Sequence, residues 1–296
     1  METPLLSVCL ITYNHVNYIK QAIDGVLMQK ADFDWELIIA DDFSTDGTRK
    51  ILIEYKAKYP NLIKLILQEK NVGAAQNWIN LITTPKSKYI AYFEGDDYWT
   101  DSFKLQKQVD VLESNNKCSL VFHNTLVSFE DKSHTTFLLC SRFLKSLNVF
   151  YTNDLIKALV KISSSSMVFR TSAISELPYW FNKIKAGEKA LQLIISLHGT
   201  SVYLKDIMST HRVNSGGLSY GQTAEYALIE MTKMYEYFNE STNGKFKNVI
   251  TKRITKMNKH YKNSNLIKKY GILYFVLRPD IAVGIIKRRL IKYLGQ

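Results

Sequence analysis

Three apolar stretches of one kind punctuate the first hundred residues: Leu6–Ile11, Trp35–Ala40 and Tyr89–Phe93. Each is short, rich in β-branched or aromatic side chains and nearly free of polar residues, which predicts buried strands. Between them the period changes. Ile19, Ile23, Val26 and Leu27 recur at helical spacing within Val16–Met28, and Ile51, Leu52 and Tyr55 do so within Thr48–Tyr59. Strand alternating with helix predicts parallel βαβ units. Right-handed crossovers then bring the carboxyl ends of the strands to one side of the sheet, where ligands bind in such folds.

Each predicted strand runs into a polar cluster. The first meets Thr12-Tyr13-Asn14-His15 and the second Asp41-Asp42-Phe43-Ser44-Thr45-Asp46-Gly47-Thr48. Asp46-Gly47 predicts a turn, with Ser44 or Thr45 placed to cap the next helix. The third strand meets Glu94-Gly95-Asp96-Asp97. Three acids in four residues beside a core strand are costly, and a hard divalent cation is the usual compensation. Mg²⁺ and Mn²⁺ take few protein carboxylates and leave positions open for phosphate oxygens. The pattern therefore predicts a metal–diphosphate site at a strand end; an acidic solvated turn fits the same residues.

These segments occur in a fixed order: Ser7-Val8-Cys9-Leu10-Ile11-Thr12-Tyr13-Asn14, then Ile39 to Thr48, then Asn71-Val72-Gly73, then Glu94-Gly95-Asp96-Asp97. The ordered set resembles the family 2 glycosyltransferases, inverting enzymes of the GT-A fold, over about residues 5–220. The resemblance implies an α/β Rossmann-like sheet with flanking helices that binds a nucleoside diphosphate sugar, a UDP-linked donor being the expectation. It implies nucleotide-sugar contacts from Thr12, Tyr13, Asn14, Asp42, Asn71, Gly73, Asp96 and Arg212, with Tyr13 and Asp42 on the base. A carboxylate accepts well from an imide N–H such as that of uracil. It also implies a Mn²⁺ or Mg²⁺ ion on Asp97, with Asp96 at ribose or metal. Glu94 stands where the family often has aspartate.

The second half matches the acceptor side. Ser163-Ser164-Ser165-Ser166 resembles a small-hydroxyl segment of the family, implying acceptor or phosphate contacts from Ser165 and Ser166; a polar loop fits equally. Glu188 sits where the family places its general base, and a lysine follows it. A negative charge favoured by a helix N-terminus fits Glu188 too. In His211-Arg212-Val213-Asn214-Ser215-Gly216-Gly217 the family often reads Tyr-Arg-x-His-x-Gly-Gly, so Asn214 stands in the histidine's place, against acceptor or phosphate. His211, three positions away, is assigned no role.

The formal net charge of +12 is unevenly placed. Residues 245–296 hold fourteen Lys or Arg against one acid, Asp280, whereas residues 1–244 are close to neutral. We therefore expect a catalytic domain over 1–220, with halves at about 1–125 and 126–220, and a helical, basic extension over 221–296. In 271–296, short apolar stretches alternate with Lys287-Arg288-Arg289 and Lys292. That arrangement suits an anionic membrane surface; packing on the catalytic domain is the alternative, and nucleic acid is not expected. No apolar run approaches the roughly 20 residues of a membrane span. The N-terminus lacks a signal-peptide pattern, and three cysteines without metal-ligand spacing fit a reducing compartment. The resemblance and the tail together imply single-sugar transfer to a saccharide or lipid-linked acceptor in bacterial surface-polysaccharide or lipopolysaccharide synthesis. The expected place is the inner face of the cytoplasmic membrane. A sugar-nucleotide-binding protein without catalysis, or a nucleotidyltransferase, remains an alternative class.

Overall fold

The computed structural model describes residues 3–130, 136–140, 148–185, 187–214 and 223–270, with side chains as far as residue 263. The chain divides into two compact units, 1–221 and 222–296.

The first unit opens with the expected alternation: β1 (Leu6–Thr12), α1 (Ile19–Leu27), β2 (Trp35–Asp41), α2 (Thr48–Lys58), β3 (Ile63–Leu67), α3 (Ala74–Ile82) and β4 (Tyr89–Glu94). It continues with β5 (Tyr98–Trp99), α4 (Lys104–Ser114), β6 (Cys118–Phe129), β7 (Phe137–Leu138), β8 (Val149–Phe150), α5 (Thr152–Lys157), β9 (Met167–Arg170), α6 (Gly187–Ser196) and β10 (Thr200–Val213). One sheet joins them in the order β3-β2-β1-β4-β9-β6-β10-β5, with β7 beside β6 and β8 beside β10.

Strands β1 to β4 are parallel, and the register Ile11↔Ala40 and Ile11↔Glu94 aligns the three predicted polar ends on one rim. Apolar side chains of β1, β2 and β4 (Leu6, Val8, Leu10, Leu37, Ile39, Tyr89, Phe93) pack with Ile19, Ile23 and Val26 of α1 in one fully buried core. Strand β9 then reverses direction: it is antiparallel to both β4 and β6, with Met167 opposite Tyr92. An antiparallel strand begins where its parallel neighbours end. The serine run 163–166, which forms a tight 3₁₀ turn before β9, therefore lies at the rim where β4 delivers its acids.

The cap of α2 differs from expectation. Asp46 makes it, accepting from the Thr48 N–H at 2.9 Å and the Thr48 hydroxyl at 2.7 Å. Ser44 is instead drawn inward to Asp41, a buried carboxylate that also takes Arg49 at 2.7 Å.

One buried feature beneath the rim is unusual. Lys104 on α4 is fully buried, its Nζ lies 3.9 Å from the centre of the Trp99 ring, and that nitrogen has no hydrogen-bond partner among the described residues. Burial holds its pKa well below the usual lysine value, against a weaker upward pull from Asp101.

In the second unit, α7 (Ala224–Ser241) and α8 (Lys247–Tyr270) form a pair, with Phe238 stacked on Phe246 at 5.6 Å. α8 carries eight Lys or Arg and no acid. Phe246 and Ile250 are buried, whereas Lys247, Lys252, Lys256, Lys259 and Lys262 are exposed. No helix among the described residues is long and apolar enough to cross a membrane. The expected apolar stretches of 271–296 lie outside the described residues, as do Gly216 and Gly217.

Candidate functional site

The ends of β1 and β2 build the first wall. The Asp42 N–H donates to the Thr12 carbonyl at 3.0 Å, which seats Tyr13 and Asp42 side by side. Asn14 takes a left-handed backbone (φ 53°), and its side-chain oxygen accepts from the Thr45 N–H at 2.9 Å. Phe43 is left-handed as well (φ 62°). Its ring and that of Tyr13 are both exposed, flat apolar surfaces beside a buried carboxylate. Asp42 accepts the Val72 N–H at 2.7 Å, which ties the Asn71-Val72-Gly73 loop to the same rim. Asn71 in turn accepts the Gly73 N–H at 3.1 Å, and Gly73, at φ 85°, has the backbone freedom this turn requires.

The acid cluster forms the floor. The Gly95 N–H donates to the Ile11 carbonyl at 2.9 Å, and a Cβ there would meet His15 Nδ1 and Thr12 Oγ1 at 3.0 Å. Glycine is thus what lets β1 and β4 close together at the rim. Asp97 is fully buried; both its oxygens lie 3.1 Å from His211 Nδ1, and Oδ1 also accepts the Arg212 N–H at 2.9 Å. Asp96 Oδ2 accepts from the Asn214 amide at 2.9 Å, while its buried Oδ1 has no partner among the described residues. The Arg212 guanidinium lies between the rings of Tyr18 and Tyr98, 4.8 Å from each, and donates to Gln21 at 2.5 Å.

Glu188, at the first turn of α6, faces this floor. Its side chain is open to solvent yet surrounded by the crevice walls. Loss of bulk hydration there raises its pKa to about 7; His211 pulls it down and Asp97 pushes it up. Burial likewise raises Glu94 well above the carboxylate range, reinforced by Asp96, Glu188 and Asp97, and raises Asp97 against the His211 hydrogen bond. For His211, burial works against the imidazolium, but the bond to Asp97 and the nearby acids outweigh it and hold it up to about 9.

Among the described residues no three His, Cys, Asp or Glu side chains converge as a ready-made metal cage. The donors still suit Mg²⁺ or Mn²⁺, which needs one or two carboxylates and takes its other ligands from phosphate and water. Asp97 and the unpartnered Asp96 Oδ1 meet that need.

Thr12, Tyr13, Asn14, Asp42, Asn71, Gly73, Asp96, Asp97, Arg212 and Asn214 fall on the β1, β2 and β4 ends or the segments bonded to them, and Glu188 faces them from α6. Ser165 and Ser166 behave differently. Both are fully buried, with Ser165 Oγ 3.1 Å from Ser209 Oγ and Ser166 Oγ donating to the Ser163 carbonyl at 2.7 Å. Their hydroxyls serve the turn itself.

His211 is the residue sequence reasoning passed over, and the structure corrects that. Strand β10 is antiparallel to β5, with Ser209↔Trp99 and Thr210↔Tyr98. The next step of that register sets His211 against Asp97. The one signal in the sequence was that His211, Val213 and Ser209 share a strand face, but their partner strand is two residues long and unreadable as a strand.

The family model described as glycosyl transferase family 2 matches residues 7–177. The putative teichuronic acid biosynthesis glycosyltransferase TuaG of Bacillus subtilis is 37% identical over 119 residues, 40% of this chain and 46% of that protein. The Escherichia coli UDP-Glc:α-D-GlcNAc-diphosphoundecaprenol β-1,3-glucosyltransferase WfgD is 32% identical over 116 residues, 39% of this chain and 44% of that protein. The chain spans a little under half the length of the curated relatives it matches. Among solved structures, S. aureus TarS with UDP-GlcNAc superposes with a TM-score of 0.65 at 15% identity, covering 90% of this chain and 76% of TarS. The mannosyltransferase PcManGT of Pyrobaculum calidifontis, with GDP-Man and Mn²⁺, superposes at 0.60 and 14% identity, covering 99% of this chain and 82% of PcManGT. These neighbours carry the same GT-A architecture, and with more than half its length matched by the family model, this chain belongs to glycosyl transferase family 2.

Proposed function

We propose that the chain is an inverting glycosyltransferase that moves one sugar from a nucleoside diphosphate sugar, UDP-linked, to a hydroxyl of a saccharide acceptor in surface-polysaccharide synthesis. The observation that carries this reading is the facing pair of Asp97, buried and clamped by His211 and the Arg212 N–H, and Glu188, whose pKa is raised to about 7. TarS solved with UDP-GlcNAc, and PcManGT solved with GDP-Man and Mn²⁺, support a nucleotide-sugar donor and a divalent ion. WfgD, whose name specifies UDP-Glc and a lipid diphosphate acceptor, supports the UDP donor and a lipid-linked acceptor.

On this reading the base lies against Tyr13, with Asp42 at its polar edge, and Arg212 lies beside the diphosphate. Asp97 and Asp96 would hold a divalent ion, which when bound would supply positive charge to the departing diphosphate. The acceptor hydroxyl oxygen attacks the anomeric carbon from the Glu188 side as the bond from that carbon to the diphosphate oxygen breaks. Glu188 takes the hydroxyl proton, and a pKa near the working pH suits a general base. One displacement inverts the anomeric centre.

The exposed basic face of α8 supports the membrane part of the proposal, since each basic residue near an anionic lipid surface contributes roughly 1 kcal/mol. It would hold the enzyme near a lipid-linked acceptor. The test of the whole reading is calorimetry of UDP, with and without Mn²⁺, on wild type and Asp97→Ala, followed by a panel of UDP-, GDP- and dTDP-sugars. Metal-dependent UDP binding that disappears in the variant is expected. Equal affinity in both proteins overturns the assignment of Asp97.

A further inference from the structure

Glu188 stands on the first turn of α6, and its carboxylate accepts the backbone N–H of Ser164. Gln192 is one helical turn later on the same face. It is almost fully buried, an uncommon place for an amide unless its hydrogen bonds are met. They are met: Nε2 donates to the Ile162 carbonyl at 3.1 Å and reaches Glu188 Oε1 at 3.4 Å, while Oε1 accepts from Lys189 Nζ at 3.3 Å. The amide thus bridges the carboxylate to the backbone just ahead of the serine turn.

That backbone is a firm anchor. The Trp99 indole donates to the Ser165 carbonyl at 3.0 Å, and Gln108 donates to the Ser166 carbonyl at 2.8 Å. Ser209 and Ser163 hydroxyls meet Ser165 Oγ at 3.1 and 2.9 Å. Strand β5, helix α4 and strand β10 therefore all hold the turn. Trp99 follows Asp97 by two residues, so the anchor shares its support with the acid floor.

We propose that Gln192 is a positioning residue that, beside the Ser164 N–H, aims the Glu188 carboxylate by tying it to the Ile162 carbonyl and through that to the pinned serine turn. The inference rests on Glu188 being the general base. Gln192 acts through Glu188 and touches no reacting atom. An amide N–H on a carboxylate both narrows its orientation and favours its charged form.

The test uses Gln192→Met, which keeps length and volume without the amide, and Gln192→Leu as a second variant should the first unfold on a thermal melt. Each is made alone and on a Glu188→Gln background. Turnover is read as release of UDP from the donor the sugar panel selects, with water as acceptor, across pH 5.5–9 as a roughly chosen range bracketing ordinary His and Glu behaviour. Expected results are a drop in kcat of about tenfold or more, UDP affinity within about twofold, and an upward move of the acidic limb of the pH profile. On the Glu188→Gln background the second change should have no further effect. An unchanged kcat and limb in Gln192→Met overturns the proposal. So does an equal loss on both backgrounds, which marks a structural role separate from Glu188. If Glu188→Gln alone keeps wild-type turnover, the general-base reading falls first and this proposal with it.

Discussion

Replacing Lys104 with methionine should stabilise this protein, and the size of the gain should depend on pH in a way only a buried amine produces. Lys104 is fully buried, its nitrogen lies over the Trp99 ring, and no acceptor among the described residues reaches it. Its folded pKa is depressed by burial. The unfolded chain takes up a proton below a pKa of about 10.4 that the folded chain does not. The folded state is therefore penalised below that pH, and the penalty deepens with acidity until the folded amine itself protonates. Where the two forms differ by one proton, the slope is about 1.4 kcal/mol per pH unit. Wherever the folded amine is neutral, the advantage of Lys104→Met should shrink as pH rises, by up to about 1.4 kcal/mol per pH unit, or about 3–6 °C in melting midpoint at about 2–4 °C per kcal/mol. Methionine also keeps contact with Trp99, since a thioether packs well on an aromatic ring. Thermal unfolding of both proteins at pH 7, 8 and 9 measures the gap. A gap that does not change with pH, or a variant less stable than wild type at pH 7, refutes the argument, because either means the amine is charged and compensated inside the fold.

Three further outcomes are expected. Turnover should rise with pH through about 7 as Glu188 loses its proton and becomes a competent base, and Glu188→Gln should lose that limb together with roughly 10²-fold or more in kcat; a limb that survives in the variant belongs to another group. Gly95→Ala should cost about 1–3 kcal/mol through overpacking, since its Cβ would meet His15, Thr12 and Ile19 within 3.1 Å, and UDP calorimetry should show weaker binding alongside the lower melting temperature. Replacing Lys252, Lys256 and Lys259 with glutamate should abolish flotation of the protein with anionic vesicles at low salt while leaving UDP affinity unchanged; unaltered flotation would remove the α8 face from the membrane reading.

The part from β1 to β4 was legible because its signals are local. Runs such as Tyr89–Phe93 are too apolar to be anything but buried, and the acids that follow them are conspicuous by cost alone. The crossovers then placed Asp42 and Asp97 on one rim without knowledge of a single contact. The part from β5 to β10 was less readable because its positions depend on pairing. Strand β9 is four residues long and fits between β4 and β6 in the reverse direction, which no periodicity announces. The serine run fits a ligand segment by resemblance and a polar loop equally; only the pairing of β9 shows that Ser165 and Ser166 turn inward. His211 meets Asp97 through a ladder of two residue pairs, too short to leave a pattern. Gln192 gave no sign at all, since an amide on a helix is unremarkable until its partners are known.

The reversed strand β9 also bears on the order in which the molecule is made. Strands β1 to β4 are linked by short crossovers, so a chain emerging from the ribosome can assemble that parallel group early. Its neighbour on the other side of β4, however, begins only at Met167, more than seventy residues after Glu94. Until then the Tyr89–Phe93 edge stands open, almost entirely apolar, with unpaired backbone groups of the sort that recruit strands from other chains. β6 emerges in the interval and waits for the same partner. The arrangement that brings the serine turn and the acid floor to one rim therefore leaves the half-made protein with two adhesive edges, and chains cut short before β9 should be aggregation-prone in proportion to how long they persist.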